Sequence, residues 1–224
     1  MTGLFSQTET AITIDGPAGA LEARAQGGRA DGAQAGRGLA AVVCHPHPLH
    51  EGTMHNKVVT TLMRTYRDLG IDAVRFNFRG VGASQGEYDQ ARGEVDDLLA
   101  VVAWLRSQGG HSSLLLAGFS FGSSVVAQAT YRSDWPVRHL TLVAPPVERY
   151  PYDQAGRFPC PVCLVQGDKD DVVDPESVYR WQKGIESPLT LLRYPEAGHF
   201  FHGGLVTLKN DLMERLPAQL EDVH

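Results

Sequence analysis

Apolar residues fall along this chain in two alternating patterns. Short runs that are apolar almost throughout read as strands, at residues 39–44, 72–78, 113–117, 139–144, 162–166 and 189–193. Between them, apolar positions three and four apart read as helices. Residues 56–69 place Val58, Val59, Leu62, Met63, Tyr66 and Leu69 on one face, and Gly70 follows as the stop. Residues 94–106 do the same with Val95, Leu98, Leu99, Val102 and Leu105. Helices are also expected at 121–131, 175–183 and 205–216, the second with Asp174 as N-cap and Pro175 at its first position. Two short strands at 11–14 and 21–23 are joined by a Gly16-Pro17 turn. Strands buried on both sides and separated by helices indicate an α/β fold, its mostly parallel sheet covered on both faces. Ligands then bind at the carboxyl ends of the strands. Residues 26–38 break the pattern. They are rich in Gly, Ala and Arg, lack apolar periodicity, and read as an exposed, flexible loop.

No repeat or shift of composition divides the chain. With 224 residues and 42% hydrophobic content, one domain over 1–224 is expected. The net charge of −6 and the absence of any Lys/Arg run argue against nucleic acid and anionic membranes as partners. No apolar stretch approaches the ~18 residues of a membrane span. The first ten residues lack the basic start and apolar centre of a secretory signal, so a cytoplasmic location is expected. Three cysteines argue against a disulfide framework. Cys160-Pro161-Val162-Cys163 has the C-x-x-C spacing of redox motifs. It leads into a strand instead of a helix N-terminus, which would stabilise a thiolate, and so reads as two ordinary cysteines.

The chemistry concentrates at three strand ends. Leu114-Leu115-Leu116-Ala117 runs into Gly118-Phe119-Ser120-Phe121-Gly122, and small and apolar residues follow. This reads as strand, sharp turn and helix with Ser120 at the apex, where bulk two residues before or after the serine is not tolerated. A serine hydroxyl is a poor nucleophile until a base, itself held by an acid, takes its proton. Gly167-Asp168-Lys169-Asp170-Asp171 follows the 162–166 strand, and Pro195-Glu196-Ala197-Gly198-His199 follows the 189–193 strand. The order Ser, acid, His is that of an α/β-hydrolase. Other chemistries have weaker support. His45, His47, His50 and His55 invite a metal, but prolines interrupt the run, and serine chemistry needs neither metal nor cofactor. The Gly80-Val81-Gly82 echo of a nucleotide loop lacks its third glycine and any Lys-Ser/Thr pair. His111, His139 and His224 read as surface positions.

Five segments together resemble the serine α/β-hydrolase superfamily over nearly the whole chain, in particular a group of small, lidless bacterial hydrolases. They are Cys44-His45-Pro46-His47-Pro48-Leu49-His50, Asn77-Phe78-Arg79-Gly80-Val81-Gly82, the Ser120 turn, Gly167-Asp168-Lys169-Asp170, and His199-Phe200-Phe201-His202-Gly203. The group's first motif continues with two glycines, where this chain has Glu51-Gly52. The resemblance implies Ser120 as nucleophile, Asp170 as acid by the Gly-x-x-Asp pattern, with Asp168 and Asp171 as neighbours, and His199 as base, with His202 incidental. It implies two backbone donors for a developing oxyanion, one from Phe121. The other comes from the loop after residue 44, where Pro46 and Pro48 have no N–H; His47 is the first choice and Leu49 the second. Arg79 is expected to tie loops together. The stretch 145–161 leaves no room for a cap, so the site should be open and accept small or medium acyl groups. Phe119, Phe200 and Tyr150, with Phe121, Phe201, Pro145 and Pro146, are candidates for the substrate pocket, and a core role for Phe119 stays equally open. The expected activity is cleavage of small-molecule carboxylic esters or thioesters. Amide cleavage by the same residues and non-catalytic binding are the alternatives, and oligomeric state is left open.

Overall fold

The computed structural model describes residues 4–152 and 157–221. Its centre is one eight-stranded sheet. The strands are β1 (Thr10–Gly16), β2 (Gly19–Gln26), β3 (Leu39–Cys44), β4 (Asp72–Phe76), β5 (Ser113–Phe119), β6 (Val137–Val143), β7 (Val162–Gly167) and β8 (Leu189–Tyr194). They lie in the order β1-β2-β4-β3-β5-β6-β7-β8. The β1–β2 hairpin is antiparallel and joins β4 in antiparallel fashion, while β4 through β8 are parallel.

The period of two along each strand distributes the core between the faces. Ala40, Val42, Leu114 and Leu116 pack with the apolar stripes of α2 (Arg92–Ser107) and α3 (Phe121–Thr130). Ala41, Val43, Leu115, Ala117 and Phe119 pack on the other face with α1 (Lys57–Leu69) and α5 (Leu205–Gln219). The helices begin and end by local chemistry. The Asn56 side chain caps α1 by accepting from the Val58 N–H, and Gly70 stops it at φ 87°. Asp174 caps α4 (Pro175–Trp181) in the expected way.

Cys44 pairs with Gly118, Phe119 with Val143, Val143 with Val165, and Gly167 with Tyr194. That register brings the carboxyl ends of β3, β5, β6, β7 and β8 to one end of the sheet, where the loops that carry His47, Ser120, Tyr150, Asp170 and His199 begin.

Three expectations differ from the structure. Residues 26–38 are not a loose loop. Gln26, Gly27 and Gln34 are buried. The backbone N–H groups of Gly27, Arg29 and Gln34 donate to the carbonyls of Ser6, Arg67 and Leu69, and Gly28 donates to the Asp72 carboxylate at 2.8 Å. His139 is fully buried and bonded through Nε2 to the Gln219 side chain at 2.9 Å, and burial pushes it down to about 4. The His111 ring is 7% exposed and paired with Asp72 at 2.8 Å. His224, read as a third surface histidine, lies outside the described residues. Cys160 and Cys163 are buried, unbridged thiols pushed up to about 12 by burial.

Candidate active site

Ser120 sits between β5 and α3 at φ 52° and ψ −122°, a backbone conformation L residues rarely adopt, costing of order 1–3 kcal/mol. The surroundings enforce it. The Ser120 N–H donates to the Val143 carbonyl at 2.8 Å. Its carbonyl accepts from the Ser123 hydroxyl, which is bonded in turn to the buried Tyr152 hydroxyl at 2.7 Å. A Cβ on Gly118 would overlap the Gly122 carbonyl, and one on Gly122 would come within 2.5 Å of the His45 carbonyl oxygen. Both glycines are therefore required by close backbone approach.

Three side chains are bonded in series. Ser120 Oγ lies 3.0 Å from His199 Nε2, and His199 Nδ1 lies 2.9 Å from Asp170 Oδ2. A carboxylate only accepts, so Nδ1 carries the proton and Nε2 faces the serine with its lone pair. Asp170 is fixed by three further donors. The Val172 and Val173 N–H groups reach Oδ1 at 2.9 and 2.8 Å, and Gln166 Nε2 reaches Oδ2 at 3.2 Å. Burial pushes the Asp170 carboxyl up, but the hydrogen bond and charge of His199 and the two backbone donors outweigh it, leaving it below the ordinary carboxylate range. The competing carboxylates are engaged elsewhere. Asp168 pairs with Arg193 at 2.7 Å and accepts from Tyr179, and Asp174 caps α4. Asp171 is exposed, and so is His202.

The third wall is the loop after β3. His45 is completely buried, and both ring nitrogens serve the backbone. Phe78 N–H donates to Nε2 at 3.0 Å, and Nδ1 bonds the Pro46 carbonyl at 2.6 Å. Burial pushes it down to about 3, so it is a neutral peg between this loop and the end of β4. Of the histidines at 45, 47, 50 and 55, His45 has no ring nitrogen left for an ion, because both are occupied. At His47, Nδ1 accepts the Leu49 N–H at 3.1 Å. That removes Leu49 as an oxyanion donor. It also puts the ring proton of neutral His47 on Nε2, toward the Tyr88 hydroxyl at 3.2 Å. Among the described residues the His47 backbone N–H has no partner, and Phe121 stands at the first position of α3, where an N–H has none within its helix. Arg79 ties the second loop to α2 by a bidentate pair with Asp97, 2.8 and 3.0 Å.

These walls enclose an open cleft of about 650 Å³, lined by His47, Ser120, Phe121, Tyr150, His199 and Phe200 among others. Phe200 and Tyr150 line it. Phe119 does not: of the pocket and core roles left open for it the structure has the core one, fully buried, its ring 5.0 Å from that of His199. Phe201 is likewise buried, against Tyr194. The residues that sequence reading missed in the cleft are His50, Asn56, Arg149 and Val172. Nothing in their spacing marks them, because loops from different strand ends bring them together. Among the described residues no helix is long and apolar enough to cross a membrane.

Residues 52–159 match the family described as the alpha/beta hydrolase fold. Over 98% of its length the chain superposes on 99% of an α/β serine hydrolase without lid from Xanthomonas campestris, with TM-score 0.88 and 40% identity. A structure of an α/β serine hydrolase homologue from Coxiella burnetii matches over 92% of this chain and 97% of its own, with TM-score 0.86 and 42% identity. An uncharacterized protein of Rickettsia prowazekii is 39% identical over 171 residues, 75% of this chain and 69% of the relative. The chain therefore belongs to the serine α/β-hydrolase superfamily, as a member with the alpha/beta hydrolase fold and, among the described residues, no cap domain.

Proposed function

We propose that this protein cleaves small to medium carboxylic ester or thioester bonds through an acyl-enzyme on Ser120. The observation that carries the reading is the unbroken series Ser120 Oγ, His199 Nε2, His199 Nδ1, Asp170 Oδ2, with contacts of 3.0 and 2.9 Å, opening onto the cleft. Ser120 Oγ attacks the substrate carbonyl carbon while His199 Nε2 takes its proton. Asp170, ionised because its folded pKa lies below the ordinary range, holds the imidazole and stabilises the charge it acquires. The N–H groups of Phe121 and His47 receive the oxyanion; a donor in such a position is typically worth about 3–4 kcal/mol. His199 returns the proton to the departing alcohol or thiol. Water, activated by the same imidazole, then releases the acid.

The size and openness of the cleft support substrates with short or medium acyl chains, which Phe200, Tyr150 and Pro146 would contact. The partner is thus a small-molecule ester, and each step uses only water and the chain's own side chains and amides. The test is a p-nitrophenyl ester series from acetate to decanoate, with wild type and Ser120→Ala. The expected result is an optimum at or below medium chain length and loss of turnover by at least about 10⁴-fold in the variant. Undiminished turnover by Ser120→Ala overturns the proposal.

A further inference from the structure

Among the described residues, Arg149 is the only lysine or arginine that lines the Ser120 cleft. Its guanidinium is anchored at one point, Nη2 donating to the Val172 carbonyl at 3.1 Å. No carboxylate of the described residues pairs with it. The adjacent Glu148 is engaged elsewhere, accepting from the Ser177 hydroxyl at 2.5 Å and lying 3.9 Å from Arg180. The cation also lies close enough to His47 to help, after burial and His50, in holding that imidazole below its ordinary pKa. So Arg149 brings a cation without a directly paired carboxylate to this cleft, although Glu148, Asp170, Asp171 and Asp174 line the neighbouring cavity that it also borders. Most other arginines in the structure are already paired, for example Arg75 with Glu9, Arg79 with Asp97 and Arg193 with Asp168.

Resting on the ester-hydrolase reading, we propose that Arg149 is a specificity residue and that the preferred substrates are esters carrying a free carboxylate. A planar guanidinium suits a carboxylate because two parallel N–H groups match its two oxygens. Arg149 is exposed, so the contact is screened and the expected preference is modest, about tenfold at low salt. Glu51, the anion on the 50–52 side of the same cleft, works against it.

The experiment compares kcat/KM within two matched ester pairs. On the acyl side these are mono-p-nitrophenyl glutarate and p-nitrophenyl valerate. On the alcohol side they are 4-carboxyphenyl and 4-carbamoylphenyl butyrate. The anionic member of at least one pair should be preferred about tenfold, mostly through KM, and the pair that shows it reports which side of the ester meets Arg149. Arg149→Met should bring that ratio to near one, Arg149→Lys should keep part of it, and Glu51→Gln should raise it. Added salt at about 0.5 M should shrink it. Turnover of the neutral esters with no anionic preference, or a preference that survives Arg149→Met, overturns the inference and leaves the hydrolase reading standing. No turnover of any of the four esters overturns both.

Discussion

Two glycine-rich segments of this molecule, 118–122 and 26–38, both press glycines against neighbouring backbone and do different work. At the first, Gly118 and Gly122 let β5, α3 and the His45 loop touch backbone to backbone, and the serine is forced into a conformation that exposes its hydroxyl. At the second, Cβ atoms on Gly28 and Gly32 would overlap the backbone of Gly70 at the end of α1. The result there is a tied strap over the end of α1, with His111 and Gly28 sharing the two oxygens of Asp72. At Gly118, Gly122, Gly28 and Gly32 glycine is a requirement of close approach, whereas Gly36 and Gly38 supply positive φ of 76° and 66°. Only the first approach is coupled to chemistry, so the two should separate activity from stability.

The largest expected effect is on the elbow. Gly122→Ala must displace the His45 carbonyl and with it the oxyanion loop, and displacements of this order cost about a hundredfold in rate. Measured kcat/KM on a short-chain ester should fall by about that much; retention within about threefold breaks the account of the elbow.

Acid should test the same side of the comparison next. His45 and His139 are held at about 3 and about 4 in the folded state, below their ordinary value near 6.5. The unfolded chain binds these protons first, so stability is full above pH ~6.5 and falls as pH drops toward the folded values. Each histidine contributes about 1.4 kcal/mol per pH unit within its window. Asp170 adds a loss at lower pH, as its depressed carboxyl is finally protonated. Urea unfolding at pH 7, 6 and 5 should show the decline, and a flat profile contradicts the burial of both rings.

On the strap, Gly28→Ala should cost about 1–3 kcal/mol, seen as a fall of about 2–10 °C in Tm, with kcat/KM per folded molecule unchanged. Native protein should resist trypsin at Arg29 and Arg37; rapid cleavage there would restore the reading of 26–38 as a loose loop. The smallest effect is expected at Glu51, which occupies φ 59° where the resembling group carries glycine. Glu51→Gly should stabilise by about 1 kcal/mol, a rise of about 2–4 °C in Tm. No rise means the left-handed position carries little strain.

What sequence could and could not show follows from the range of the forces involved. Ser120 was legible because its turn is local: the small neighbours, the apolar strand before and the helix after lie within about a dozen residues. The order of Asp170 and His199 was legible because each follows a strand of the same parallel sheet. Phe119 was left open between pocket and core although the alternation along β5 decides it, since Leu115, Ala117 and Phe119 share one face and that face packs on α1 and α5. His139 and His45 were not legible, because their partners, Gln219 and the Phe78 N–H, are remote in sequence. Arg149 could not be found from spacing, since the cleft it lines is assembled from loops that follow different strands.

The most direct test of the central claim is intact-mass analysis after exposure to a fluorophosphonate probe, on folded wild type and on Ser120→Ala. A single adduct on wild type that is lost in the variant is the predicted result. No adduct on folded wild type, or an adduct that persists without Ser120, contradicts the assignment of Ser120 as the nucleophile.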